Sequence, residues 1–191
     1  MKRVPDRGEG NPRRRSRTAV HPQVDVQAIA RLLGLVPLPG EGGHYRETYR
    51  APLVIPASAL PAAYGGPRAA STAIYYLLSP GTCSVLHRLP GDEVYHFYLG
   101  DPVELLQLHP GGTAVVTLLG PDLAAGMRPQ AVVPAGVWQG SRLVAGGRFA
   151  LLGTTMAPGF EFADFEPGRR EALAAEFPAF ATLIAALTPE A

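Results

Sequence analysis

Proline and glycine punctuate this chain so often that few segments are long enough for a helix of several turns. There are 20 prolines and 22 glycines among 191 residues. Between them lie short apolar runs, such as TAIYYLLS from Thr72, PVELLQLHP from Pro102 and TAVVTLL from Thr113. Proline fixes φ and glycine admits positive φ, so each cluster marks a turn, and apolar segments spaced by such turns read as antiparallel strands. With 47% hydrophobic residues the chain can bury a sizeable core, and its length suits one domain. The pattern predicts a mainly β fold, a sandwich or barrel.

Two helical stretches frame the strands. In VDVQAIARLLGLV the apolar residues Val26, Ile29, Leu32 and Leu33 recur at spacings of three and four, with Asp25 as N-cap and Gly34 just past the C-terminus. The run RREALAAEFPAFATLIAAL is helical in composition, but Pro178 removes a backbone donor and clashes with the preceding turn. Two short helices are expected there instead of one.

The stretch from Gly81 to Gly100, GTCSVLHRLPGDEVYHFYLG, concentrates ionisable groups in a chain where only 17% of residues are charged. Alternation places Cys83, Val85, His87 and Leu89 on one face of its first strand. After the Pro90-Gly91-Asp92 turn, Glu93, Tyr95, Phe97 and Leu99 share a face, opposite Val94, His96 and Tyr98. If the apolar rows face inward, His87 and Glu93 meet inside and His96 does not join them. Read from the residues alone, this is equally a buried histidine paired with a glutamate for structural reasons.

The spacing of Gly81, His87, Glu93 and Gly100 is that of the first cupin motif, and Pro134-Ala-Gly136 followed by Gln139 is similar to the second. More closely, HRLPGDEVYHFYLGDPVELLQL, VVPAGVWQGSRL and TTMAPGFEFADFE, together with Gly42, Gly43, Tyr45, Arg46, Glu47 and Thr48, resemble the DUF985 (cupin_5) family from about Val24 to Leu187. The resemblance implies a single cupin-type double-stranded β-helix, a jelly-roll barrel with short N- and C-terminal helices, over residues 24–187. Metal-binding cupins carry two histidines as HxH, a glutamate and a third histidine. Here Leu89 stands at the second position and Gln139 at the fourth, leaving His87, Glu93 and Gln139, with His96 as a further candidate, for a weakly held divalent metal at most.

A carboxylate beside an imidazole raises the histidine pKa and fixes its tautomer, which makes His87 a candidate base and Glu93 its partner. Tyr75, Tyr76, Tyr95 and Tyr98 are candidate acids, and Arg46, Glu47, Tyr76, Tyr95, Phe97 and Gln139 are the expected ligand-binding set. By analogy with metal-free cupins, the resemblance implies a small polar ligand and isomerase or epimerase chemistry on a sugar or other carbonyl compound. A metal-dependent, oxygenase-like enzyme and a non-catalytic binding protein are the alternatives. It also implies a homodimer.

The net charge of +1 hides an asymmetry. The first 17 residues hold seven Lys or Arg against Asp6 and Glu9, whereas the remainder holds ten basic and fourteen acidic residues. Residues 1–23 therefore read as a disordered basic tail, solvated and without a nucleic-acid partner. No apolar segment follows those charges as a secretory signal requires, and no apolar run is long enough for a membrane span, so a cytoplasmic protein is expected. Cys83 stands alone, which excludes an intrachain disulfide.

Overall fold

In the computed structural model, which describes residues 25–189, the short apolar segments form antiparallel strands that pair into two main sheets. The N-terminal elements are helix α1 (Val26–Leu33) and strands β1 (Val36–Pro37), β2 (His44–Arg50), β3 (Val54–Ile55) and β4 (Arg68–Ala69). The central strands are β5 (Thr72–Leu78), β6 (Cys83–Arg88), β7 (Glu93–Gly100), β8 (Val103–Leu108) and β9 (Ala114–Leu119). They are followed by β10 (Gln130–Val133), β11 (Trp138–Leu143), β12 (Ala150–Met156), β13 (Glu166–Pro167), α2 (Arg170–Glu176) and α3 (Ala181–Ala186). One sheet runs β1-β2-β5-β12-β7-β10 and the other β13-β6-β11-β8-β9, while β3 and β4 pair separately. Apart from β1–β2 and β8–β9, neighbours within the two main sheets are not consecutive in sequence, as in a jelly roll.

Each sheet has an inner and an outer apolar face. Between the sheets, Leu78, Val103, Leu105, Leu119 and Leu152 are fully buried in one cluster that also includes Leu38, Tyr76 and Tyr95. On the outer face of the five-stranded sheet, Leu86, Leu106 and Leu108 pack against Leu173, Phe177, Ile184 and Leu187 of the C-terminal helical segment. On the outer face of the six-stranded sheet, Leu77 and Leu151 are covered by Ile29 of α1 and by Leu35. Burying one such leucine contributes about 1.5–3 kcal/mol, so these helices stabilise the sheets they cover.

The helix boundaries follow the signals in the sequence. Asp25 accepts a hydrogen bond from Ala28 N–H at 2.6 Å, and Gly34, at φ 63°, closes the other end of α1. The C-terminal helix breaks at Pro178, where a 3-10 turn over Pro178–Phe180 separates α2 from α3. No helix among the described residues is long and apolar enough to cross a membrane. The basic stretch over residues 1–23, read above as a disordered tail, lies outside the described residues.

Candidate functional site

Strict alternation fails in three strands: in β7 the extra residue is Tyr98, and Leu99, expected on the inward face, is 46% exposed, while the failures in β6 and β2 assemble the site. In β6, Gln139 pairs with His87 while Ser141 pairs with Ser84, so β6 contains one more residue than β11 over that interval. This is a β-bulge, and it turns both Ser84 and His87 inward. The displaced backbone groups find other partners: Val85 N–H bonds Glu41 O at 3.0 Å and Leu86 N–H bonds Leu187 O at 2.7 Å. Gly140 faces the bulge, and a Cβ there would lie 3.1 Å from Ser84 O. The inward row of Cys83, Val85, His87 and Leu89 expected from period two is thereby corrected, since Cys83 packs against the outer cluster under the C-terminal helices.

The site's second bulge lies in β2, where Glu47 pairs with Ile74 and Tyr49 with Ala73, leaving Thr48 as the extra residue. Glu47 and Arg50 both line the cavity as a result, and Tyr49 is turned out to solvent. Arg46 is turned outward, its guanidinium 5.8 Å from the ring centroid of Tyr75. The expected ligand contact from Arg46 therefore gives way to Arg50.

The cavity has a volume of about 300 Å³, suited to a small molecule. Its walls include His87, Leu89, Glu93, Tyr76, Tyr95 and Thr154, with Glu41 from the β1–β2 turn. At the mouth, Arg50 binds Glu47 at 2.8 Å and Glu161 at 2.6 Å, flanked by Phe160 and Phe162. Of the expected set, Glu47, Tyr76, Tyr95, His87 and Glu93 thus come together. Gln139 stands behind the wall and donates to Glu93 Oε2 at 2.8 Å. Phe97 packs into the hydrocarbon between the sheets and is not among the lining residues. His96 faces the other way and bonds Thr155 at 3.1 Å.

His87 is 1% exposed, with Nδ1 2.8 Å from Val85 O and its ring stacked on Phe165 at 4.9 Å. A carbonyl oxygen only accepts, so Nδ1 carries the hydrogen of the neutral ring and Nε2 keeps its lone pair. Nε2 lies 4.0 Å from Glu93 Oε2, beyond a direct hydrogen bond. Burial lowers the His87 pKa and outweighs the upward pull of Glu93 and of the Val85 hydrogen bond. Glu93 does raise it, as expected, but the net shift is downward because burial is the larger effect. Burial likewise raises the pKa of Glu93, against the lowering effect of His87 and of hydrogen bonds from Thr154 and Gln139. Both groups are pushed toward their neutral forms, so their approach is not a full ion pair.

Glu41 escaped the sequence reading. It sits in the Gly-rich turn GEGG, where a charged residue is ordinarily solvated, yet its carboxyl accepts from Ser84 Oγ at 2.7 Å and burial pushes its pKa up to about 7. The turn reaches that depth because Gly42, at φ 96°, lets the backbone approach β6; a Cβ would lie 2.4 Å from Cys83 O. A charge set among glycines within an apolar stretch was the available signal. Tyr76 and Tyr95 are pushed well above the ordinary phenol pKa by burial, and Tyr76 donates to Gly42 O at 3.0 Å. Tyr98 lies outside, half-exposed, edge-on to Tyr75, so neither is a candidate acid.

At the four positions where a metal-binding cupin has its ligands, this chain supplies one imidazole nitrogen, one carboxylate, the hydrocarbon of Leu89 and an amide already donating to Glu93. Among the described residues, no group of three His, Cys, Asp or Glu side chains is arranged to hold a metal ion. That donor set does not fit a resident transition metal, which takes three or four N, O or S ligands.

Two antiparallel sheets enclosing a pocket, with the cupin-motif histidine and glutamate on its wall, define a protein of the cupin superfamily. The family model described as Cupin superfamily (DUF985), Cupin_5, matches residues 27–167, and the chain belongs to this family. A solved structure of protein SO0799 from Shewanella oneidensis is 35% identical, with a TM-score of 0.76, covering 87% of this chain and 99% of that one. A hypothetical protein from Leishmania major is 29% identical, with a TM-score of 0.77 and the same coverage. The uncharacterized protein YML079W of Saccharomyces cerevisiae is 29% identical over 132 residues, 65% of this chain and 66% of the yeast protein, just under two thirds of its length.

Proposed function

We propose that the cavity binds a small polar carbonyl compound, of sugar size, and that His87 transfers a proton at the carbon next to the carbonyl. The observation that carries this is the His87 ring: Nδ1–H is committed to Val85 O and the ring is held neutral by burial, so a basic Nε2 belongs to the cavity wall. When Nε2 takes the proton, the imidazolium formed has the Glu93 carboxyl 4.0 Å away to offset its charge. The developing substrate oxyanion has the lining hydroxyl of Tyr95 as a donor. Returning the proton to the former carbonyl carbon, while the hydroxyl proton of the carbon first deprotonated passes to the former carbonyl oxygen, gives an isomer with no net oxidation. Phe165, stacked on the imidazole, and Gln139, bonded to Glu93, hold the two groups in orientation.

Incubating the protein in D₂O with a panel of aldoses and ketoses tests this, with deuterium incorporation next to the carbonyl followed by NMR. Incorporation is expected with the parent protein and should fall by about 10²–10⁴ in His87→Ala, the usual range for loss of a general base. Because burial lowers the His87 pKa, the acid limb should lie below the ordinary imidazole value of 6.5. Exchange that persists at the parent rate in His87→Ala would overturn the assignment, and ligand binding without exchange by the parent would leave a non-catalytic binding protein.

A further inference from the structure

The charges facing the cavity are unbalanced. Glu41 and Glu93 lie in its interior and Glu47 and Glu161 at its mouth, whereas the only guanidinium among its lining residues, Arg50, is already bonded to both mouth carboxylates. Among the described residues, Arg46 lies outside on Tyr75. An anionic ligand such as a phosphate or carboxylate would meet no free cation among the lining residues. Glu41, meanwhile, has no cationic neighbour among the described residues and receives one hydroxyl hydrogen bond, from Ser84. Buried carboxylates are ordinarily paired.

The remaining lining fits a cation. Tyr45, Tyr76, Tyr95, Phe160 and Phe162 contribute aromatic surface, whose faces attract positive charge. Behind Glu93, the buried Gln139, which is not among the lining residues, leaves its Oε1 acceptor without a partner, so the surroundings of Glu93 hold acceptors in excess of donors.

From this arrangement we infer that Glu41 anchors a protonated amine, and that the ligand of the cavity is an amine-bearing small polar molecule instead of an anionic one. This rests on the cavity being a ligand site, as proposed above, but not on His87 acting as a base. The groups facing Glu41 are Ser84 of the five-stranded sheet through its hydrogen bond, Tyr76, Tyr95 and Glu93 of the six-stranded sheet, and Cys83 through the backbone that Gly42 approaches. None is cationic. Near neutral pH the anchor is therefore partly protonated, and it ionises fully as pH rises or as an amine enters.

Calorimetry or ligand-observed NMR on the full chain, with glucosamine, glucose and glucuronate as size-matched probes, tests the inference. At pH 7.5, where Glu41 is mostly ionised and the sugar amine still mostly protonated, glucosamine should bind at least about tenfold more tightly than glucose, with glucuronate weakest, a difference of about 1.4 kcal/mol for the first step. In Glu41→Gln, a near-isosteric change checked for folding by thermal melting, glucosamine should fall to the glucose level. In the parent, glucosamine affinity should drop by about tenfold per pH unit below 7 as the carboxyl takes up its proton. Glucosamine binding no better than glucose, including failure of either to bind, overturns the inference, as does a preference retained by Glu41→Gln. Deuterium exchange separates this from the catalytic reading: amine preference without exchange removes only the catalysis, and exchange confined to neutral or anionic sugars removes only the amine anchor.

Discussion

Arg68 and Asp164 are about as buried as His87 and Glu93, with side chains 6% and 3% exposed against 2% and 9%, yet the two pairs are bonded differently. Arg68 meets Asp164 through two parallel hydrogen bonds, Nε to Oδ2 at 2.8 Å and Nη2 to Oδ1 at 2.5 Å, and spends its other donors on the carbonyls of Pro67 and Tyr64. Asp164 raises the Arg68 pKa against the effect of burial, so the guanidinium stays charged. His87 and Glu93 stand 4.0 Å apart with no direct bond, and burial drives each toward neutrality. Fully bonded buried charge is a clasp, here tying the 51–71 loop to the segment after β12. Incompletely bonded buried groups beside a cavity retain bonding capacity for something else.

Replacing Asp164 with alanine probes the clasp and should have the largest effect. It leaves Arg68 buried without its carboxylate, and a loss of about 3–5 kcal/mol is expected in urea denaturation. A loss under about 1 kcal/mol would break the contrast, because the pair would then be no better bonded than a surface one.

The cavity carboxylate Glu41 should behave in the opposite sense. Between pH 4.5 and about 7 the unfolded chain has released this proton while the folded chain retains it, so its contribution to stability is lost as pH rises through that window. At about 1.4 kcal/mol per pH unit the full loss amounts to about 3 kcal/mol. Glu41→Gln should therefore match the parent near pH 4.5 and exceed it by about that amount above pH 7. Since the lowered His87 pKa gives a slope of opposite sign below 6.5 in both proteins, the difference between variant and parent isolates Glu41. A gap that does not widen with pH would place Glu41 with the satisfied groups.

Arg50→Ala sharpens the comparison from the exposed side. Its bonds to Glu47 and Glu161 are short, but these side chains are 39–44% exposed and screened by solvent. Stability should change by about 1 kcal/mol or less, and the change should shrink with added salt when melting is followed from low to high ionic strength.

Several of these elements were legible in the sequence because their cause is local. Asp25 and Gly34 bound α1 through bonds spanning three or four residues, and Pro178 breaks the last helix wherever the rest of the chain goes. The inward row of Glu93, Tyr95 and Phe97 followed from alternation, since β7 stays regular over that stretch. His87 and Glu93 were found by motif spacing. Ser84, Arg50 and Glu41 were not, because a bulge has no strong residue signature and is visible only when two strands are laid in register. Nor does Arg68 announce that its partner will be Asp164, 96 positions later.

What this sequence determined by itself is a β-rich chain with a helix at either end, turns at its glycines and prolines, and a histidine and a glutamate on neighbouring strands. Those follow from backbone stereochemistry and the two-residue repeat of a strand. Only the tertiary structure decided which faces became inner at Ser84 and Arg50, how deeply Glu41 is buried, and that His87 is held neutral. Bulges arise from pairing between strands far apart in sequence, and desolvation depends on every element packed around a group.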